Sequence, residues 1–126
     1  MTQSNNTMVD RFLAMIEKDQ DNAMVRLSLG NAYLAEKLYP EAITHLKTAI
    51  EHDQSYSAAW LNLAKAYELA GDYAKAIDTY QKTAEIAAEK GDLQIVRQAE
   101  VLMKKTQKKL HNVEAITTAE AKHSAD

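Results

Sequence analysis

The chain has 126 residues, enough for one domain and too few for two comfortable ones. It holds no cysteine, three glycines and a single proline, which excludes a disulfide framework and a thiolate zinc site and leaves little turn chemistry for strands. A net charge of −3 argues against the broad basic surface that non-specific nucleic-acid binding needs.

Ala, Leu, Glu and Lys dominate, the vocabulary of helices, so an all-α fold of about six helices is expected. In chain order, the opening Met1-Thr2-Gln3-Ser4-Asn5-Asn6 has no basic cluster followed by an apolar run, so no secretory signal is read, and residues 1–7 are expected to be flexible. No window approaches roughly 18 continuous apolar residues, so no membrane partner is expected and the cytoplasm is the default setting. A lone helix is predicted from about Met8 to Lys18, within a partial repeat over 8–21. Two larger units follow over 23–56 and 57–90. Gly91 closes a helix, and Asp92 can cap a last one over 92–110. Val96, Ala99, Met103 and Leu110 share one side of it, with Arg97, Lys104, Lys105, Lys108 and Lys109 around the rest. The tail, 111–126, is rich in Ala, Thr, Glu and Ser and is expected to be disordered.

The units come from an internal repeat. A shift of 34 residues brings Asp19-Gln20 onto Asp53-Gln54, Leu27 onto Leu61, Leu29 onto Leu63, and Ala32-Tyr33 onto Ala66-Tyr67. Tyr39 falls on Tyr73 and Ala42-Ile43 on Ala76-Ile77. Unlike polar residues separate these matches, which is the mark of a shared core and not of biased composition. The same shift backwards sets Phe12 on Leu46 and Met15 on Ala49. A unit of about 34 residues suits a helix–turn–helix pair that buries its apolar face only against its neighbours.

The residues that fill this pattern resemble the tetratricopeptide (TPR) family. Trp60, Leu63, Tyr67, Gly71-Asp72-Tyr73, Ala76 and Tyr80 stand at its signature positions in one unit, and Leu29-Gly30, Tyr33, Ala42, Leu46 and Ala49 in the other. Arg26 stands where Trp is usual, Ala64 where a small Gly is usual, and Lys37 where a turn Gly is usual. Gln20, Gln54 and Ala88 replace the inter-repeat prolines. The resemblance, strongest over about 22–88, is to small stand-alone bacterial TPR proteins. It implies an α-solenoid of antiparallel helix pairs, with a partial unit at the N-terminal end and a capping helix at the other. In such a stack Gly30, Ala64, Ala42 and Ala76 let paired helices approach, and Tyr33, Tyr67, Trp60 and Tyr80 fill the wider gaps between units.

Catalytic chemistry is not assembled in the sequence: there is no P-loop, no glycine-rich phosphate cradle and no His-Glu-x-x-His. Glu41 and His45 lie one helical turn apart, a spacing that can hold a metal ion, but no third ligand is evident. His52 sits at a helix end, where a cation complements the macrodipole; His111 and His123 lie in the tail. The C-terminal lysines lack the aromatic neighbours that base stacking requires. No enzyme activity, metal, cofactor or nucleic-acid partner is expected.

What the resemblance does imply is a protein partner, a peptide or an amphipathic helix, held in the concave groove lined by the first helix of each unit. The lining positions would be Met24, Leu27, Asn31, Leu34 and Ala35, then Leu61, Asn62, Lys65, Glu68 and Leu69, with Ile95 and Gln98 closing the far wall. Asn31 and Asn62 match the two asparagines of the family's carboxylate clamp, yet Leu27, Asp92 and Val96 occupy its basic positions. The apolar members point to an amphipathic partner. They are also explained by self-association through the groove or an end helix, by filling from the chain's own ends, or by packing within their own helix pairs.

Overall fold

A computed structural model of the chain describes residues 7–124, with side chains described as far as residue 122. Six helices follow one another: α1 (Thr7–Glu17), α2 (Ala23–Ala35), α3 (Tyr39–His52), α4 (Ser57–Leu69), α5 (Tyr73–Lys90) and α6 (Leu93–Ser124). Of the stretch expected to be flexible, 1–7, all but Thr7 lies outside the described residues, and Thr7 opens α1.

Local chemistry sets the helix ends. Asn22 caps α2 by accepting the Val25 N–H at 2.9 Å, Pro40 sits in the first turn of α3, and the Asp72 carboxylate accepts the Lys75 N–H at the start of α5. The turns inside the two pairs are built alike. Leu38 N–H donates to the Tyr33 carbonyl at 3.0 Å, and 34 residues later Asp72 N–H donates to the Tyr67 carbonyl at 2.9 Å. Each turn needs one residue in the left-handed region, Lys37 at φ 63° and Gly71 at φ 86°.

Each helix packs on the next. In addition α2 reaches α4 and α4 reaches α6, whereas α3 and α5 do not meet. The first helices, α2, α4 and α6, therefore form the inner layer of a curved stack, and α1, α3 and α5 the outer one. The core is lined by small residues where helices come close: Ala42, Ala49, Ala59, Ala64, Ala66, Ala76, Ala87 and Ala99 are all fully buried. Gly30 marks the closest approach. A Cβ there would lie 2.6 Å from Cγ of Leu46, itself fully buried. Among the aromatic residues, Tyr80 is fully buried, Tyr67 is buried and Tyr33 is half-buried against the core. Trp60 is half-buried, and its indole N–H donates to the Gln54 carbonyl at 2.9 Å.

The C-terminal part differs from the expectation. The last helix does not stop near Leu110 but continues through the expected disordered tail to Ser124, giving 32 residues and a length of about 48 Å. Residues 111–124 contain no Gly or Pro, and a helix already nucleated by packing propagates through Ala, Glu and Lys at little cost. Residues 111–122 are exposed throughout.

Candidate functional site

The inner layer brings the two asparagines together. Asn62 Nδ2 donates to Asn31 Oδ1 at 2.7 Å, bridging α4 and α2. Asn31 is exposed and Asn62 half-buried, so the free amide hydrogens of Asn31 and the carbonyl of Asn62 remain available on the surface. On the N-terminal side of this bridge lies a hollow of about 320 Å3, lined by Met8 and Phe12 of α1 and by Ser28, Asn31, Ala32 and Ala35 of α2. On the C-terminal side a hollow of about 360 Å3 sits between Lys65 of α4 and Arg97, Gln98, Val101 and Leu102 of α6.

The expected groove residues thus divide. Asn31, Asn62, Lys65 and Gln98 stand on or beside this surface, and Met24 and Leu69 are exposed at 64% and 56%. Leu61, only 5% exposed, belongs to the core and not to a groove wall. Leu27, Leu34 and Ile95 are half-buried against that same core. Packing within the stack therefore accounts for much of the apolar content that the sequence left unassigned. Met8, Phe12, Arg97 and Val101 were not among the expected lining residues: Arg97 and Val101 stand beside the expected Gln98 on α6, and Met8 and Phe12 come from α1.

Glu68 is also committed. Its carboxylate, 9% exposed, accepts from Lys109 Nζ at 2.6 Å and from the Tyr80 hydroxyl at 2.7 Å, which ties α6 and α5 to α4. Burial pushes the Glu68 carboxyl up, but the hydrogen bonds from Lys109 and Tyr80 outweigh it and hold the group below its ordinary range. Burial, then Glu68, pushes the Tyr80 hydroxyl well up, so it stays a donor. Glu68 acts as a strut between helices.

A second polar lock occupies the N-terminal end of α2. Arg26, at the place of a signature Trp, meets both oxygens of Asp21 at 2.8 Å and His45 Nδ1 at 2.9 Å. Its hydrogen bond holds the Asp21 carboxyl below the usual range. Burial, then the Arg26 charge, pushes His45 down, so the neutral ring accepts from the guanidinium while stacking on Tyr33 with centroids 5.5 Å apart. His52 Nε2 lies 3.4 Å from Asp21. His45 therefore engages Arg26, and no group of three potential metal ligands occurs among the described residues. A further hollow of about 530 Å3 lies on the outer side, between Ile50, Glu51 and Trp60 and the last turns of α5 at Ile86 and Glu89.

A curved stack of helix pairs with a polar and partly basic inner face defines the helical-repeat class of interaction proteins. The tetratricopeptide repeat family model matches residues 27–91. The TPR repeat-containing protein PA0015 of Pseudomonas aeruginosa is 36% identical over 98 residues, covering 78% of this chain and 93% of that one. The solution structure of protein BPP2914 from Bordetella parapertussis superposes with a TM-score of 0.74 at 29% identity, over 86% of this chain and 91% of that one. The TPR2B domain of yeast Sti1, in its complex with pHsp70, superposes with a TM-score of 0.76 at 25% identity, over 80% and 81%. The chain belongs to the tetratricopeptide repeat family.

Proposed function

We propose that the chain is a protein-interaction module, not an enzyme, and that it holds a segment of a partner protein along the inner surface of α2, α4 and α6. The observation that carries this reading is the Asn31–Asn62 bridge, which presents free amide donors and acceptors between two hollows on the inner layer. Those groups suit the backbone of an extended or helical peptide. Lys65 and Arg97 add positive charge beside exposed Val101, so a partner segment with an apolar anchor and acidic neighbours fits the C-terminal hollow. The Sti1 domain, a relative solved with a pHsp70 partner, supports a protein ligand in general. The expected cytoplasmic setting is kept as part of this proposal, and no helix among the described residues is long and apolar enough to cross a membrane.

The surface is short, so affinity for a linear peptide is expected to be roughly micromolar. Affinity capture with the native chain, followed by titration of the retained protein, provides the test. Asn31→Ala with Asn62→Ala, both outside the core, is expected to leave the helical melting curve intact and abolish capture. Recovery of the same partner at unchanged affinity would overturn the groove reading.

A further inference from the structure

We infer that the middle of α6 carries a second docking face, separate from the groove, that takes a short acidic segment of a partner protein, a run of aspartates and glutamates. The stretch 101–113 holds Lys104, Lys105, Lys108 and Lys109 and no acidic residue, in a chain of net charge −3. Had α6 ended near Leu110, these lysines would have sat in its last turns, where the macrodipole favours cations. The helix instead runs on to Ser124, about four turns past Lys109. The dipole acts only within the last turn, so it does not account for them.

Contacts inside the chain account for only one of the four. Glu68 holds Lys109 at 2.6 Å. Lys104, Lys105 and Lys108 are exposed and have no ion-pair partner among the described residues. Lys108 follows Lys104, and Lys109 follows Lys105, by one turn, and like charges at that spacing weaken a helix. An anion from outside the chain removes this repulsion.

The face has the donors to hold one. Lys104, Gln107, Lys108, His111 and Asn112 line a hollow of about 430 Å3. All five are exposed and carry N–H donors, and no carboxylate stands among them. Thr106, two positions from both Lys104 and Lys108 and so about 200° round the helix, is fully buried. The two lysines therefore point away from the stack. Their hollow shares no residue with the groove hollow, which reaches Leu102.

Length and charge select the partner. From Lys104 to Asn112 the face spans about 12 Å along the helix, the reach of three or four extended residues. A polyphosphate chain would run beyond it onto a molecule that is otherwise acidic, and α6 supplies no Phe, Trp or Tyr on which bases could stack. A short acidic segment stays within the face, where its carboxylates meet donors throughout.

The test is fluorescence anisotropy with the full chain and a labelled hexaglutamate peptide. Binding is expected at low salt and should weaken as salt rises. Lys104→Glu with Lys108→Glu should weaken it about tenfold or more. Lys18→Glu with Lys82→Glu, the same change of charge at two other exposed sites, should shift it by about twofold at most. Lys104→Gln with Lys108→Gln should weaken binding about fivefold and melt no lower than the native chain, because the repulsion along the helix is gone. Asn31→Ala with Asn62→Ala, which disables the groove, should leave it unchanged, so this inference and the groove reading fail separately. Lower melting of the glutamine variant would make the lysines structural. Loss of binding confined to Lys65→Gln with Arg97→Gln would put the segment in the groove, and tighter binding of an oligothymidylate of the same length would make the face a phosphate site. Any of these, no binding at low salt, or indifference to the charge reversal would overturn the inference.

Discussion

The two complete helix pairs share a backbone plan but not a chemistry. The α4–α5 pair lies between neighbours on both sides and α4 buries seven residues, whereas α2 buries three. Where the central pair closes its turn with Gly71, the other uses Lys37; where it has Trp60, the other has Arg26 in a lock with Asp21 and His45. Even the close helix approach is met differently, by Ala64 in one and Gly30 in the other. Equal geometry thus rests on a larger apolar core with the Glu68 strut in the centre, and on the Arg26 lock and backbone devices toward the N-terminal end. The two halves should respond to different insults.

The central pair should be the more vulnerable to overfilling. Ala76 is fully buried, with no room for a long side chain. Ala76→Arg would force the α4–α5 contact apart and bury an unpaired charge, costing about 4 kcal/mol or more. Chemical denaturation is expected to show a chain largely unfolded or with its midpoint strongly lowered. Normal stability would show that the 34-residue register is misassigned.

Gly30→Ala gives a smaller effect whose sign separates packing from propensity. In an exposed helix interior this change would stabilise by roughly 0.5–1 kcal/mol. Here the new methyl meets Leu46, which is fully buried and cannot swing into solvent. Overpacking of this kind costs about 1–3 kcal/mol, so a net loss of about 1–2 kcal/mol is expected in denaturant titration. A gain would mean that α2 and α3 separate more easily than the contact suggests.

Acid should find the N-terminal lock first. His45 is pushed below the ordinary histidine value of 6.5, so the unfolded chain binds its proton at a higher pH than the folded one. Stability from this group is complete above 6.5 and declines as pH falls beneath that value. Asp21 and Glu68, held below their ordinary 3.8 and 4.5, start to lose their contributions only as pH falls through those ordinary values toward the lower folded ones. Melting curves should therefore show an early loss that sets in as pH falls below about 6.5. His45→Gln is expected to flatten that early part and leave the later one in place.

These differences also mark how far the residues alone could be read. Side-chain size repeats because packing repeats, so Gly30, Ala42, Ala76 and the paired tyrosines made the helix pairs and their 34-residue period legible. Partnership between distant polar groups leaves no such trace. Glu68 has the look of a groove residue until Lys109, 41 positions on, is seen to hold it. Leu61 could not be assigned to core or groove without knowing which side of α4 joins the buried cluster. The length of α6 was misjudged because its final residues resemble a polar tail by composition, while helix propagation depends on the packed turns before them.

Lys37 is the smallest of these tests and the one that acts on backbone alone. Its φ of 63° places it in the left-handed region, where a side chain is strained by about 1–2 kcal/mol and glycine is not. Lys37 is exposed, so replacing it should disturb no packing. Lys37→Gly relieves the strain but also gives the unfolded chain more freedom, a penalty of about 0.5–1 kcal/mol. The balance is a gain of at most about 1.5 kcal/mol, a rise of up to roughly 6 °C in Tm for a chain of this size. Gly71→Ala, at the same point of the central pair and with open space around it, should shift Tm by a similar amount in the opposite direction. If the two substitutions move Tm the same way, the turns at Lys37 and Gly71 do not share one backbone solution, and the likeness between the two helix pairs stops at their cores.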